Sequence, residues 1–107
     1  MREDINDISC EIIAAVGCAK SSFVEVIEEA KAGNFEKADA LIAKGKEQYK
    51  EGHHAHSKLL QMFSEGQDVE VNMLLVHAEC QMMSAEDFQL LSQDFLDFAK
   101  KIQSDHT

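Results

Sequence analysis

His77 stands alone as a titratable ring in an almost uncharged stretch, Met73-Leu-Leu-Val-His-Ala-Glu-Cys-Gln-Met-Met83. An imidazole there can serve as a base, a metal ligand or a nucleophile. The bland counterpart is a core histidine with a satisfied hydrogen bond. The other histidines are weaker candidates. His53, His54 and His56 sit at i, i+1 and i+3 of a helical stretch and cannot all face one way. A metal site would want i and i+4, or ligands from elsewhere, so a polar helix face is expected. His106 lies in the tail, where ends fray. No Ser/His/Asp set, HExxH motif, phosphate-binding loop or dinucleotide fingerprint occurs in the chain.

The elements that must position His77 are helical. The 107 residues contain no proline and five glycines, with Ala, Leu, Ile, Glu, Lys and Gln abundant. These are residues that lose little rotamer freedom in a helix. Two breaks divide the chain. At Ala32-Gly33-Asn34, Gly33 can end one helix and Asn34 cap the next; at Ser64-Glu65-Gly66-Gln67-Asp68, Gly66 is the stop and Asp68 the next cap. Helices are predicted over roughly 3–32, 35–64 and 69–103, antiparallel because the connections are short.

Each helix carries an apolar seam at 3–4 spacing. The first runs Ile5, Ile8, Ile12, Ala15, Ala19, Phe23, Val26, Ala30. The second runs Phe35, Ala38, Ile42, Gly45, Tyr49, Gly52, Ala55, Leu59, Phe63. The third runs Val71, Leu74, Ala78, Gln81, Ala85, Phe88, Ser92, Phe95, Ala99, Ile102. The predicted fold is therefore all-α: an antiparallel up-and-down three-helix bundle, with residues 1–107 as a single domain. The third helix has a second seam, Met73, Val76, Cys80, Met83, Asp87 and Leu90. A helix of a three-helix monomer needs only one broad stripe, so the second predicts burial against another copy, which also helps a small chain bury enough surface. His77 falls between the two seams, with Cys80 at i+3 and Gln81 at i+4 on its face and Glu79 at i+2 pointing elsewhere. Its ring is expected at the edge of a groove, held rather than free.

The formal net charge of −10 argues against nucleic acid or an anionic membrane as partner, since both call for a basic surface. No signal peptide is expected behind Met1-Arg-Glu-Asp4, and no stretch reaches the roughly 18 apolar residues of a membrane span. Cys10, Cys18 and Cys80 are an odd number at no metal-clip spacing, and a reducing cytoplasm suits them.

Four segments stand out: Ile12-Ile-Ala-Ala-Val-Gly-Cys-Ala-Lys-Ser21, Ala30-Lys-Ala-Gly-Asn-Phe-Glu-Lys-Ala38, His53-His-Ala-His-Ser-Lys-Leu-Leu60 and Val69-Glu-Val-Asn-Met-Leu-Leu-Val-His-Ala78. In them the chain resembles the lactose/cellobiose-type enzyme IIA family of the bacterial phosphoenolpyruvate-dependent sugar phosphotransferase system. The resemblance spans nearly the whole chain. It implies a three-helix subunit assembled as a homotrimer. It implies that His77 accepts phosphoryl from the carrier protein HPr and passes it to a cysteine of enzyme IIB, for uptake of a lactose- or cellobiose-like sugar.

The chain departs from the family where the family continues "HAQDHLM". Glu79 stands for its glutamine, Cys80 for an aspartate that gathers at the trimer axis and can hold a metal, and Gln81 for a second histidine; His56 replaces a glutamine on the second helix. No cofactor is indicated, and the axial metal is in doubt at Cys80. Three Cys80 thiols could bind a soft metal or pack as small hydrophobes, and packing is favoured because apolar surroundings raise a thiol's pKa. Phosphoryl transfer between imidazoles needs positioning and hydrogen-bond donors. Gln81 can donate from its amide, and His56 could contact phosphate if the second helix brings it near. The alternative function is a regulatory or adaptor homologue on the same fold, whose altered site no longer turns over phosphate.

Overall fold

The computed structural model describes residues 4–106. Three helices follow one another: α1 (Ile5–Lys31), α2 (Phe35–Ser64) and α3 (Met73–Asp105). The expected start of the first helix at residue 3 lies outside the described residues. Both breaks act as stops by the same device. Gly33 and Gly66 adopt φ of 79° and 80°, a left-handed conformation that costs glycine nothing. Around them, Gly33 N–H and Asn34 N–H return to the carbonyls of Ala30 and Glu29, and Gly66 N–H and Gln67 N–H to those of Phe63 and Met62. This paired return of backbone donors satisfies the last carbonyls of each helix.

The register across the bundle is antiparallel between α1 and α2 and between α2 and α3. Ser22 Oγ donates to Gln48 Oε1 at 2.6 Å and Lys58 Nζ reaches Glu11 at 3.4 Å; His56 pairs with Glu79, and Lys100 with Asp39 at 2.8 Å. α1 and α3 run parallel, linked by Asn72 Nδ2 donating to Asn6 Oδ1 at 2.9 Å and by Lys20 over the Phe88 ring. The result is a rod 59 Å long and about 20 Å across (21 and 19 Å).

The core fills in two stretches along this rod. Near the α1 N-terminus, Ile8, Ile12 and Val16 pack with Ala55, Leu59, Leu75, Ala78, Met82 and Ala85. Toward the other end, Phe23 and Val26 pack with Ala38, Leu41, Ile42 and Leu96, and Tyr49 touches both groups. Close approach of α1 and α2 depends on two glycines. A Cβ on Gly45 would lie 2.5 Å from Phe23 Cε1, and one on Gly52 2.5 Å from Val16 Cγ1. α1 thus packs tightly on α2, whereas α2 and α3 meet least.

The seams of α1 and most of α2 lie as expected. Phe63, however, is exposed at the end of α2, and its neighbour Met62 packs against the core instead. α3 departs in two ways. It begins at Met73 rather than 69, because Asn72, not Asp68, caps it: Asn72 Oδ1 accepts the Leu75 N–H at 2.9 Å. The preceding Val69 and Val71 are β-branched and favour extended backbone. The buried stripe of α3 is Leu75, Ala78, Met82, Ala85, Ser92 and Leu96. Leu74, Gln81 and Phe95 flank it on the α1 side, and Val71 and Ile102 are exposed. Ala78, Ala85 and Ser92 stay in the buried stripe while Leu75, Met82 and Leu96 take the places expected for Leu74, Gln81 and Phe95, so the stripe is rotated by about half of one 100° step. The second seam is open to solvent, with Met73 at 84%, Met83 at 59% and Leu90 at 63% exposure.

Candidate functional site

His77 lies in the second turn of α3, and that turn is fixed at its start. Asn72 both caps the helix and reaches across to Asn6 of α1. His77 is two residues past Leu75, the first core residue of the helix, so its side chain faces outward. It is exposed, and its ring makes no hydrogen bond among the described residues of the chain. The expectation of a ring held at a groove edge is therefore corrected for the single chain. The cause is the rotated α3 seam: Leu74 is not the core row, so its i+3 neighbour does not border the core. Gln81, at i+4, is half-buried on the α1 side, and Cys80, at i+3, is exposed.

The α2 side of α3 carries a contact that sequence reasoning did not foresee. His56 Nε2 and Glu79 Oε1 lie 2.6 Å apart, with side-chain exposures of 17% and 45%. An ionised carboxylate only accepts, so the imidazole N–H donates to it. His56 is thus brought to Glu79 and not to His77, since Glu79 leaves the helix roughly 200° around from His77. His53 and Lys50 border a groove with Glu86 and Asp87 of α3, while His54 borders another with Cys18 and Glu51. Both rings are exposed. His106 ends α3 and is exposed.

In the first of these grooves, burial together with the charge of Glu86 pushes the Tyr49 phenol above its ordinary range. Among the described residues, no group of three or more metal-ligating side chains gathers within the chain. The resemblance puts an axial metal position at Cys80, which is bordered on the seam by Val76 and Met83. This apolar setting offers no oxygen donors and does not fit a hard cation. No described helix is long and apolar enough to cross a membrane.

Comparison with known proteins places this architecture. The model of the family described as "PTS system, Lactose/Cellobiose specific IIA subunit" matches residues 7–100. The lactose-specific EIIA component of the Staphylococcus aureus phosphotransferase system is 34% identical over 100 residues, covering 94% of this chain and 97% of that protein. The crystal structure of the cellobiose-specific enzyme IIA of Bacillus anthracis superposes with a TM-score of 0.92 at 32% identity, over 97% of this chain and 95% of that one. A solution structure of the IIA(chitobiose)–HPr complex of the N,N'-diacetylchitobiose system shares the fold, with a TM-score of 0.81 at 22% identity over 95% and 99% of the two chains. The resemblance read from the four motifs is borne out: the chain belongs to the lactose/cellobiose-specific enzyme IIA family of the sugar phosphotransferase system.

Proposed function

We propose that this chain is the phosphocarrier of its system, with His77 as the phosphoryl acceptor. The observation that carries this reading is the exposed, unbonded ring of His77, on a helix turn anchored by Asn72 and at the motif position of the family's acceptor. A neutral ring nitrogen attacks phosphorus in line. The bond from phosphorus to the donor imidazole of HPr breaks, the N–P bond to His77 forms, and the electron pair returns to the donor ring. The reverse geometry delivers the phosphoryl group to a cysteine thiolate of enzyme IIB. Nothing is oxidised or reduced, so the protein's part is positioning and electrostatics.

HPr is supported as partner by a relative of the same fold solved in complex with it. The open seam of α3 supports assembly with further copies, and threefold closure agrees with the family. In a cytoplasmic homotrimer of one three-helix domain per chain, Cys80 gathers with its copies at the axis, and Gln81 lies within reach of the phosphate as an amide donor. His56 touches phosphate only if it does so from another protomer. Relatives named for lactose and cellobiose support a lactose- or cellobiose-like sugar.

A second reading has its own observation. Glu79 carries a carboxylate paired to His56; brought against His77 by a neighbouring chain it would repel phosphate and suit a regulatory or adaptor protein without turnover. A chase decides between them. The chain is loaded with labelled phosphate from phosphoenolpyruvate, enzyme I and HPr, then mixed with enzyme IIB. A carrier loses its label to the enzyme IIB cysteine within the mixing experiment. An adaptor either never loads or keeps its label.

A further inference from the structure

We infer that Asp87 makes assembly proton-dependent: in a threefold assembly its three carboxylates meet at the axis, where they repel one another when ionised and pack together when protonated. This rests on the trimer proposed above and adds a control on it. Asp87 points straight away from the core of its own chain. It lies nine residues from both Ala78 and Leu96, about two and a half turns either way, and both of those side chains are fully buried. The row through Asp87 is otherwise apolar. Met73 and Leu91 are about five whole turns apart and share one line along α3, as do Cys80 and Phe98, and Asp87 falls within about 20° of the second line. Leu91 and Phe98 are 58% and 61% exposed.

The surroundings within one chain leave this charge without a partner. Met83, Leu90 and Leu91 flank Asp87 at i−4, i+3 and i+4. Its carboxylate makes no hydrogen bond or ion pair among the described residues. From α2, Lys46, Lys50 and His53 face it across the groove that Tyr49 and Glu86 also line, and α1 contributes no residue to that groove. Lys20 of α1 sits over Phe88 on the other flank. On its own row the titratable neighbours are Cys80 and Asp94, about two turns before and after it. In the single chain, water solvates the exposed carboxylate and it stays ionised.

Threefold closure removes that water. Rotation about an axis along the rod keeps each residue at its own height, so a residue of the outward row meets its own copies. Three Asp87 carboxylates then share one layer with Met83, Leu90 and Leu91. Like charges gathered in apolar surroundings disfavour ionisation. Lys46, Lys50 and His53 remain on the α2 flank, away from the axis, and Asp94 adds charge of the same sign. The closed assembly therefore binds protons that separate chains release, and assembly strengthens as pH falls.

Sedimentation equilibrium of the full chain between about pH 5 and pH 8, at one ionic strength, tests the inference, with circular dichroism at each pH to show that the helices persist. The unmodified chain should associate roughly tenfold or more tightly at the acid end. Asp87→Asn keeps the shape without the charge. It should associate more tightly than the unmodified chain near pH 8 and lose most of the pH dependence. Asp87→Leu extends the apolar row and should hold the trimer at both ends of the range. Glu25→Gln removes one exposed charge from α1 and should keep the dependence, which separates the axial effect from that of net charge. All of these chains share the same histidines, so protonation of those rings cancels in the comparison.

A pH dependence unchanged in Asp87→Asn, or reduced equally in Glu25→Gln, overturns the inference while leaving the trimer in place. A monomer mass for the unmodified chain and both Asp87 variants at every pH overturns the trimer itself, and the inference with it. Phosphoryl labelling plays no part in these measurements, so the carrier reading stands or falls separately.

Discussion

The exposure of His77 sets what its removal does. His77→Ala takes away no core contact, so helical content and thermal midpoint should hold within the small range of surface substitutions, while phosphoryl labelling disappears. Circular dichroism and phosphate labelling on one preparation check both halves. Gln81 gives a graded test. Gln81→His restores the family's ring at i+4 to His77, and labelling kinetics should quicken if the present amide serves phosphate poorly. A large fall would contradict the placement of Gln81 beside the reacting face. His77 and its i+3 and i+4 neighbours were legible in the sequence because helix spacing alone places them. The His56–Glu79 pair was not. It joins residues 23 positions apart across two helices, and no local pattern reports such a meeting.

At the level of the helices, the two glycine stops and the α1 seam were readable because Gly33 and Gly66 punctuate strongly periodic segments. The register of α3 was harder. This helix presents apolar residues on three flanks: Leu75 and Met82 inward, Leu74 and Phe88 toward α1, Val76 and Met83 outward. Periodicity then leaves the inward row unmarked, and packing against Ile12 and Leu59 decides it. Two predictions belong here. Gly52→Ala would put a methyl group against Val16 and should destabilise the fold by about 1–3 kcal/mol, as overpacking does, read as a lower urea midpoint. Asn72→Ala removes the α3 cap and should cost about 1 kcal/mol. Because that cap starts the turn bearing His77, hydrogen exchange at Leu75 and Val76 should quicken as well. Glu29 clips α1 to the start of α2: the Asn34 amide donates to it at 2.8 Å and Lys37 lies 3.3 Å away, and these contacts hold its carboxyl below the ordinary range. The stability from this clip is present above the unfolded carboxylate range and is lost as pH falls through the lowered folded value.

At the scale of the whole molecule, the outward row of α3 supports the proposed assembly of the rod with further copies. Met73, Met83 and Leu90 are largely exposed, and adjoining apolar side chains on one helix face mark a contact surface. Sedimentation equilibrium at micromolar concentration should return a trimer mass, and a stable monomer would refute the assembly. Cys80→Asp should weaken that trimer without divalent cations, because like charges then gather at the axis; an unchanged mass would show that Cys80 is not axial. The central claim is that His77 carries phosphate, and its most direct test is intact mass followed by peptide mapping after incubation with phosphoenolpyruvate, enzyme I and HPr. One acid-labile phosphoryl group per chain, on a ring nitrogen of His77 and retained when His53, His54 and His56 are all changed to Gln, is the predicted result. Absence of label under conditions that load another member of the family, or label on a different histidine, would contradict it.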